Sequence, residues 1–136
     1  MVGLGAVAVA FHAQMDAIAA GKTQWGEIEG ELFAPGFVAH MMGVGDVDLA
    51  GYREGVGAFM GAFEGYEHRL EAQVADGDLV ASRWTWTGTH TGEFNGVAAT
   101  GREVSIGVMN FIRVADGKVA EFWPSFDAVG LMRQIS

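Results

Sequence analysis

Asp127, near the C-terminus of this 136-residue chain, is a candidate for acid–base chemistry. It follows the segment Trp-Pro-Ser-Phe at 123–126, at the end of a strand-like run. Burial among large apolar side chains disfavours a charged carboxylate and raises its pKa, which suits a group that takes and returns a proton. Aspartate is also a favoured N-cap, so Asp127 could instead cap a terminal helix. The sequence leaves both roles open.

Asn110 is a second polar candidate, because it shares one face of a predicted strand with apolar residues only. These neighbours are Val104, Ile106, Val108, Ile112 and Val114. A buried amide without a partner costs about 1–3 kcal/mol, so Asn110 must meet a polar group, a water molecule or a ligand. A structural hydrogen bond, or a bulge that turns the amide outward, would also explain it.

His40 follows the apolar residues 37–39, and an imidazole titrates near neutral pH, which suits proton transfer or polarisation of a carbonyl group. A histidine satisfied within the core is the alternative. The other histidines are predicted to have no chemical role. His12 is expected to be structural or exposed, His68 partly buried, and His90 a residue at the rim of the sheet.

Aromatic and apolar side chains could form the walls of a ligand site. Trp84 and Trp86 share one face of a strand, and Trp123 lies on the next strand but one. Aromatic residues with a period of two are usually core residues, but they could equally line a flat, hydrophobic site. The residues predicted to contact a ligand are Trp84, Trp86, Trp123, Met109 and Phe59.

The elements that must position these residues change character along the chain. Up to residue 63, apolar residues recur at spacings of three and four, which predicts helices over about 4–20, 25–33 and 49–63. From residue 67 the period is two, with turns at Asp76-Gly77 and Asp116-Gly117. This predicts strands over 67–74, 79–91, 104–114 and 119–125, and then a short helix over 126–135. Helices followed by a strand meander favour an α+β fold, with helices on one face of a curved antiparallel sheet.

Composition limits the class of protein. The length suggests one domain over residues 1–136. A net charge of −9 with only 8 Lys and Arg repels phosphate backbones, so we expect no nucleic-acid partner. The absence of cysteine excludes disulfides, thiolate catalysis and Cys-based metal sites. We expect no metal site, since Asp46 and Asp48 alone do not form one.

The apolar content also suggests what the protein binds. Hydrophobic residues make up 50% of the chain, an excess that a subunit interface or an apolar cavity would accommodate. The segment 104–114 is apolar on both faces, with Ile106, Val108 and Ile112 opposite Met109 and Phe111. Helices cover only one face of the sheet, so we expect a homodimer through the other face.

The N-terminal segment MVGLGAVAVAF is apolar like the core of a signal peptide, but no Lys or Arg precedes it. His12 and Asp16 interrupt the pattern soon afterwards, so we expect no cleaved signal. No apolar run reaches the length of a membrane span. We therefore expect a cytoplasmic protein that has no membrane partner.

The whole chain resembles the SnoaL-like polyketide cyclases and predicted ester cyclases of the nuclear-transport-factor-2-like (NTF2-like) superfamily. The resemblance is most specific at 113–134. The segments that carry it are PGFVAH at 35–40, GDLVASRWTWTGTHTGEFNG at 77–96, ATGREV at 99–104 and RVADGKVAEFWPSFDAVGLMRQ at 113–134. The sequence departs from the common pattern at Val97-Ala98-Ala99, where a proline-containing turn is usual, and at Pro124.

The resemblance implies a cone in which a curved antiparallel sheet and three N-terminal helices enclose a deep apolar pocket, usually in a homodimer. In the characterised cyclases, an aspartate at the position matching Asp127 is the general acid/base of an intramolecular aldol closure. No metal or cofactor takes part in that reaction.

These observations predict a cofactor-independent, cyclase-like enzyme that acts on a hydrophobic carbonyl compound. Asp127 would move the proton, and Asn110 or His40 would hydrogen-bond the enolate oxygen. An isomerase, dehydratase or hydrolase that uses the same acid is one alternative. A protein that binds a hydrophobic metabolite without chemistry is the other, and it is favoured if Asp127 caps a helix.

Overall fold

The computed structural model describes residues 3–136, which form an α+β fold around one six-stranded sheet. The helices are α1 (Leu4–Ala19), α2 (Trp25–Leu32), α3 (Leu49–Ala62) and α4 (Ala128–Ile135). The strands are β1 (Phe33–Met41), β2 (Gly45–Val47), β3 (Phe63–Asp76), β4 (Leu79–His90), β5 (Glu103–Ala115) and β6 (Lys118–Phe126). The sheet is curved and unclosed, with strand order β2-β1-β6-β5-β4-β3, which confirms the predicted fold class.

The second half of the chain forms an antiparallel meander of β3, β4, β5 and β6. Its first and last turns are those that the sequence predicts. Gly77 has a φ of 62°, and Asp116 and Gly117 have φ of 52° and 74°, a region that Gly and Asp tolerate better than other residues. Period-two alternation along β4 and β5 then divides the side chains between two faces of the sheet.

The helices cover one face of the sheet, which we call the inner face, and we call the opposite one the outer face. Helix α1 buries the stripe expected from its spacing, including Val7, Phe11 and Met15. These side chains pack against Val80 of β4 and Ile112 of β5 in the main hydrophobic core. Within residues 3–136, no helix combines the length and the apolar character that crossing a bilayer requires.

The sequence did not predict β1 and β2, and two predicted helices end earlier than expected. Phe33 and Phe63 have extended backbones and begin β1 and β3. Pro35 and Gly36 hide the alternation of β1, and the register of β1 with β6 shifts between Phe33 and Val38. Proline is tolerated in a strand at such an irregularity. Strand β1 runs parallel to β6, so the sheet is not antiparallel throughout.

Candidate active site

A cavity of about 400 Å³ lies between the helices and the inner face of the sheet. Apolar and aromatic side chains form most of its wall. They include Phe11, Met15, Phe59, Trp86, Ile106 and Phe122. A few polar side chains also line it, namely His12, His68, Asn95, Asn110 and Ser125. A mostly apolar cavity with a few polar groups is the usual form of a small-molecule site.

A chain of hydrogen bonds on the inner face reaches the cavity through Asn110. The Trp84 indole Nε1 donates to Ser82 Oγ (2.8 Å), and the Ser82 hydroxyl donates to Asn110 Oδ1 (2.8 Å). Asn110 Nδ2 donates to His12 Nε2 (3.0 Å), and His12 Nδ1 donates to the Ala8 carbonyl oxygen (2.8 Å). The buried amide thus has protein partners, as it must, and it still lines the cavity.

His12 is a neutral member of this chain. Burial, and then the nearby His68, lower the pKa of His12 to about 3, although the hydrogen bond to Ala8 opposes the shift. The Ala8 carbonyl can only accept, so Nδ1 carries the proton and Nε2 accepts from Asn110. The imidazole also stacks on Trp84, with ring centroids 3.8 Å apart. His12 is therefore buried rather than exposed, and it is part of the cavity wall.

His68 and Asp16 form a histidine–carboxylate dyad at the same wall. His68 Nδ1 donates to Asp16 Oδ1 (2.7 Å), and the His68 backbone N–H donates to Asp16 Oδ2 (2.9 Å). The carboxylate therefore orients the ring and leaves Nε2 without a partner among residues 3–136. The His68 and His12 ring centroids are 5.0 Å apart. A group that can take a proton thus lies close to the Asn110–His12 hydrogen bond.

Two tyrosines of the cavity wall, Tyr52 and Tyr66, are further polar groups. Burial raises the pKa of both hydroxyl groups well above the usual value, with Tyr52 also affected by Tyr66, and Tyr66 by Asp16. Both therefore stay protonated and can act as hydrogen-bond donors or acceptors. Nowhere in residues 3–136 do three or more His, Cys, Asp or Glu side chains gather as ligands for a metal ion.

Asp127, the predicted proton shuttle, is the N-cap of α4. Its Oδ1 accepts a hydrogen bond from the Gly130 backbone N–H (2.8 Å). A Cβ at Gly130 would lie 2.1 Å from Asp127 Oδ2, so the glycine leaves room for this cap. Asp127 is exposed, whereas the preceding Phe126 is the last residue along the chain that lines the cavity. Of the two roles that the sequence left open, this geometry favours the cap.

His40 lies on the outer face, because it follows the inward-facing Ala39 along β1. Its Nδ1 and Nε2 bond to Asp46 (2.7 Å) and Glu121 (2.8 Å). These hydrogen bonds, the one to Glu121 first, raise the pKa of His40. Trp123 stacks on the ring at 4.8 Å. Neither His40 nor Trp123 lines the cavity, so the structure does not bring them together with Asn110.

Of the residues predicted to contact a ligand, some line the cavity and others do not. Trp86 and Phe59 line the cavity, whereas Trp84 is buried behind it, under His12. Met109 is on the outer face and is 58% exposed. His90, expected at the rim, is fully buried and bonded to Thr100 instead.

Sequence reasoning missed the dyad of Asp16 and His68 and the role of His12. One signal was available, because His12 and Asp16 are four residues apart and so lie on the same side of the first predicted helix. Their partners are distant in sequence. The hydrogen bond between Asn110 and His12 spans 98 residues, and that between His68 and Asp16 spans 52.

The curved sheet and the helices together enclose an apolar cavity, and this fold is that of the NTF2-like superfamily. The cavity is a candidate binding site for a small molecule. The family model of the SnoaL-like polyketide cyclases matches residues 11–135. The chain therefore belongs to the SnoaL-like polyketide cyclase family, as the resemblance of its sequence segments predicted.

Solved structures of similar fold carry different functional names. IdmH, a candidate polyketide cyclase from Streptomyces antibioticus, is 26% identical, with a TM-score of 0.83 over 98% of this chain and 99% of that chain. AclR, a candidate hydroxylase from Streptomyces galilaeus, is also 26% identical, with a TM-score of 0.81 over 98% and 97%. None of the curated proteins matches the sequence. One fold supports several reactions, so the side chains of the site, and not the fold, define the chemistry.

Proposed function

We propose that the protein is a cofactor-independent, cyclase-like enzyme that carries out acid–base chemistry on a hydrophobic carbonyl compound. The observation that carries this proposal is the His68–Asp16 dyad, whose histidine lines the same cavity as Asn110, in a wall that is otherwise mostly apolar. Such a wall excludes water and strengthens the few polar contacts that a ligand makes. A polyketide-like compound with several carbonyl groups fits this combination.

The first step is removal of a proton from a carbon next to a carbonyl group. His68 Nε2 is the base, and Asp16 holds the ring and stabilises the imidazolium that forms. As the C–H bond breaks, its electron pair moves into the carbonyl group, whose oxygen gains negative charge. The second N–H of Asn110 donates to that oxygen and stabilises the enolate.

The second step closes the ring. The enolate carbon attacks another carbonyl carbon of the same molecule, a carbon–carbon bond forms, and the attacked oxygen becomes an alkoxide. The imidazolium of His68 returns its proton to this oxygen, so that the base is regenerated without a cofactor. The apolar wall holds the two reacting carbons close together, which lowers the entropic part of the barrier.

This proposal assigns proton transfer to His68 rather than to Asp127. His68 lines the cavity and keeps one ring nitrogen without a protein partner among residues 3–136, whereas Asp127 is exposed and bonded to the backbone of α4. His40 is not a candidate for the enolate contact, because both of its ring nitrogens bond to carboxylates away from the cavity wall.

A binding protein without chemistry is the second candidate function. The observation that favours it is the Asp127 cap, since the carboxylate that matches the general acid/base of the cyclases is used for helix structure here. The same cavity would then hold a hydrophobic metabolite, and Asn110 and the two tyrosines would orient it. An isomerase or a dehydratase would need the same proton transfer as the cyclase and would differ from it only in the later steps of the reaction.

We also propose that the protein forms a homodimer through the outer face. Met109 and Phe111 are 58% and 52% exposed there. The register places Val74, Ala81, Phe111 and Trp123 next to one another across β3, β4, β5 and β6. A second copy would cover this apolar row, which the helices leave open.

Exchange of the α-hydrogens of β-tetralone, a bicyclic aromatic ketone, tests the enzyme proposal in deuterated water. We expect the protein to accelerate this exchange, as followed by proton NMR, and to bind the ketone, as followed by tryptophan fluorescence. His68→Gln keeps a side chain of similar reach but removes the base. It should lower the exchange rate by about 10²–10⁴-fold and leave binding in place.

His40→Gln is the matched control, because His40 has an equally short bond to a carboxylate on the outer face. It should leave the exchange rate unchanged. Binding without accelerated exchange would support the binding protein and overturn the enzyme. Equal exchange by His68→Gln and the unmodified protein would overturn the assignment of the base, and absence of binding would overturn both candidate functions.

A further inference from the structure

We infer that Ser82, Trp84 and His12 are positioning residues, which fix the direction of the Asn110 amide so that it offers the ligand an N–H donor. The ligand group at this point is then an oxygen that accepts, such as the carbonyl oxygen of an enolisable ketone. This inference deepens the proposed function and rests on it for the ligand class. It makes Asn110 a group that selects the ligand as well as one that stabilises charge.

The Ser82 end of the chain fixes the amide oxygen. An indole N–H can only donate, so Trp84 uses Ser82 Oγ as an acceptor (2.8 Å). The Ser82 hydroxyl still has its own proton to donate, and within residues 3–136 the acceptor for it is Asn110 (2.8 Å). The atom that receives it must be an acceptor, which is Oδ1 and not Nδ2.

The His12 end fixes the amide nitrogen independently. The Ala8 carbonyl only accepts, so His12 Nδ1 carries a proton. The ring is neutral, because burial lowers the pKa of His12 to about 3. Nε2 is therefore an acceptor and requires an N–H from Asn110 (3.0 Å). A rotated amide would leave the Ser82 hydroxyl proton without its acceptor at one end and place two acceptors against each other at the other.

The hydrogen bonds at both ends of the chain require the same orientation of the Asn110 amide. The side chains of this chain, His12, Ser82, Trp84 and Asn110, are almost fully buried. One lone pair of Oδ1 and one N–H of Nδ2 are then used, and the second N–H has no partner within residues 3–136. His68 lines the same cavity, and with Nδ1 donating to Asp16 the Nε2 of the neutral ring is an acceptor. The site thus combines a donor for a carbonyl oxygen with an acceptor for the proton on the neighbouring carbon.

The first readout is the protonation of the His12 ring, measured by nitrogen NMR at neutral pH. We expect Nδ1 to be protonated and Nε2 to be unprotonated. Asn110→Asp replaces the donor by a carboxylate, which can only accept, so His12 should gain a proton on Nε2. A wild-type protein with the proton on Nε2 would overturn the inference, and this readout needs neither a ligand nor activity.

The second readout compares the affinity for β-tetralone with that for tetralin, which has the same rings and no oxygen. One hydrogen bond is worth roughly 1 kcal/mol, so we expect the ketone to bind about 5–10-fold more tightly. Ser82→Ala removes the contact that fixes Oδ1 and should reduce this ratio, whereas Ser82→Thr keeps the hydroxyl and should restore it. Ser105→Ala is the matched control, since Ser105 is an exposed serine of β5 that does not line the cavity.

The two proposals fail in different ways. If the ketone is preferred but its α-hydrogens do not exchange, the proposed enzyme is wrong and the fixed amide stands as a feature of a binding site. An unchanged ratio in Ser82→Ala, with wild-type exchange, would leave the enzyme and overturn the positioning role. If neither compound binds, the protonation of His12 decides the inference alone.

Discussion

The inner and outer faces of the sheet each carry a histidine that bonds to an aspartate over the same distance. His68 Nδ1 and Asp16 Oδ1 are 2.7 Å apart on the inner side, and so are His40 Nδ1 and Asp46 Oδ1 on the outer side. The second ring nitrogen distinguishes them. In His40 it bonds to Glu121, whereas in His68 it has no partner among residues 3–136.

The outer histidine belongs to a network that joins strands. Glu121 also accepts from Arg113 (3.1 Å), and the Arg113 guanidinium lies over the Trp123 ring at 5.8 Å. Carboxylates at both nitrogens raise the pKa of His40 and so favour its charged form, and the ring acts as a cross-link between β1, β2 and β6. A short histidine–carboxylate bond therefore does not by itself define an active site. A candidate active site also needs a ring nitrogen that is left for the ligand and a cavity that the ring lines.

The largest expected difference between the faces is in stability. Ile112 and Phe111 are neighbours on β5, but Ile112 is fully buried and Phe111 is 52% exposed. Ile112→Ala should lower the free energy of unfolding by about 2–5 kcal/mol, because it leaves a hole in the core. Phe111→Ala should cost the subunit much less and weaken the proposed dimer. Urea unfolding and sedimentation measure these effects, and similar losses of subunit stability would contradict the division into two faces.

His12, which packs against the inner face, should make the stability of the protein depend on pH in acid. Its pKa is lowered from 6.5 to about 3 in the folded protein. Between these values the unfolded chain binds more protons, so stability should fall as the pH is lowered, by at most about 1.4 kcal/mol per pH unit. His12→Gln removes the titrating group and should make this slope shallower. An unchanged slope in urea unfolding between these values would show that His12 is not held neutral.

His40 should have the opposite pH dependence. Its folded pKa is raised, by the hydrogen bonds to Glu121 and then to Asp46. Its contribution to stability is therefore fully present below the unfolded value of 6.5 and is lost as the pH rises through the folded pKa. The cost of His40→Gln should be largest in mild acid and should shrink in alkali. A cost that grows with pH would contradict the charged cross-link.

The smallest expected effects are at Asp127. Asp127→Ala should destabilise the protein by about 1 kcal/mol, because α4 loses its N-cap. Asparagine is an equally good cap, so Asp127→Asn should be nearly silent in stability and in the exchange of β-tetralone. Asp16→Asn is the inner counterpart and should reduce exchange. Loss of exchange in Asp127→Asn would instead show that Asp127 is the group that transfers the proton.

Local patterns made much of the fold predictable. The spacing of Leu4, Val7, Phe11 and Met15 follows α1, and the Asp-Gly pairs mark two hairpins, because these signals depend only on near neighbours. Strand β1 could not be found in this way. Its pairing with β6 is made by residues more than 80 positions away, and Pro35 and Gly36 obscure its period.

The direction of a side chain was predictable only where the period of a strand or a helix fixes it. Asn110 of β5, Trp86 of β4 and Phe59 of α3 line the cavity, and their contact with a ligand stays a prediction. Met109 could have been placed by the same rule, since it is one residue before Asn110 and so points to the outer face. His40 could not, because its face depends on how β1 joins the sheet. Trp123 could not, because the register of β6 with β5 shifts between Arg113 and Val114.

The sequence alone determined the fold class, the family and the inward direction of Asn110, because hydrophobic period and turn residues act over a few positions. Only the tertiary structure decided the chemistry that these residues can share. It paired Asp16 with His68 across 52 positions and joined Asn110 to His12 across 98. It also placed the Asp127 carboxylate on the backbone of α4. Hydrogen bonds of this kind depend on the distance between atoms in the folded chain, which no local pattern encodes.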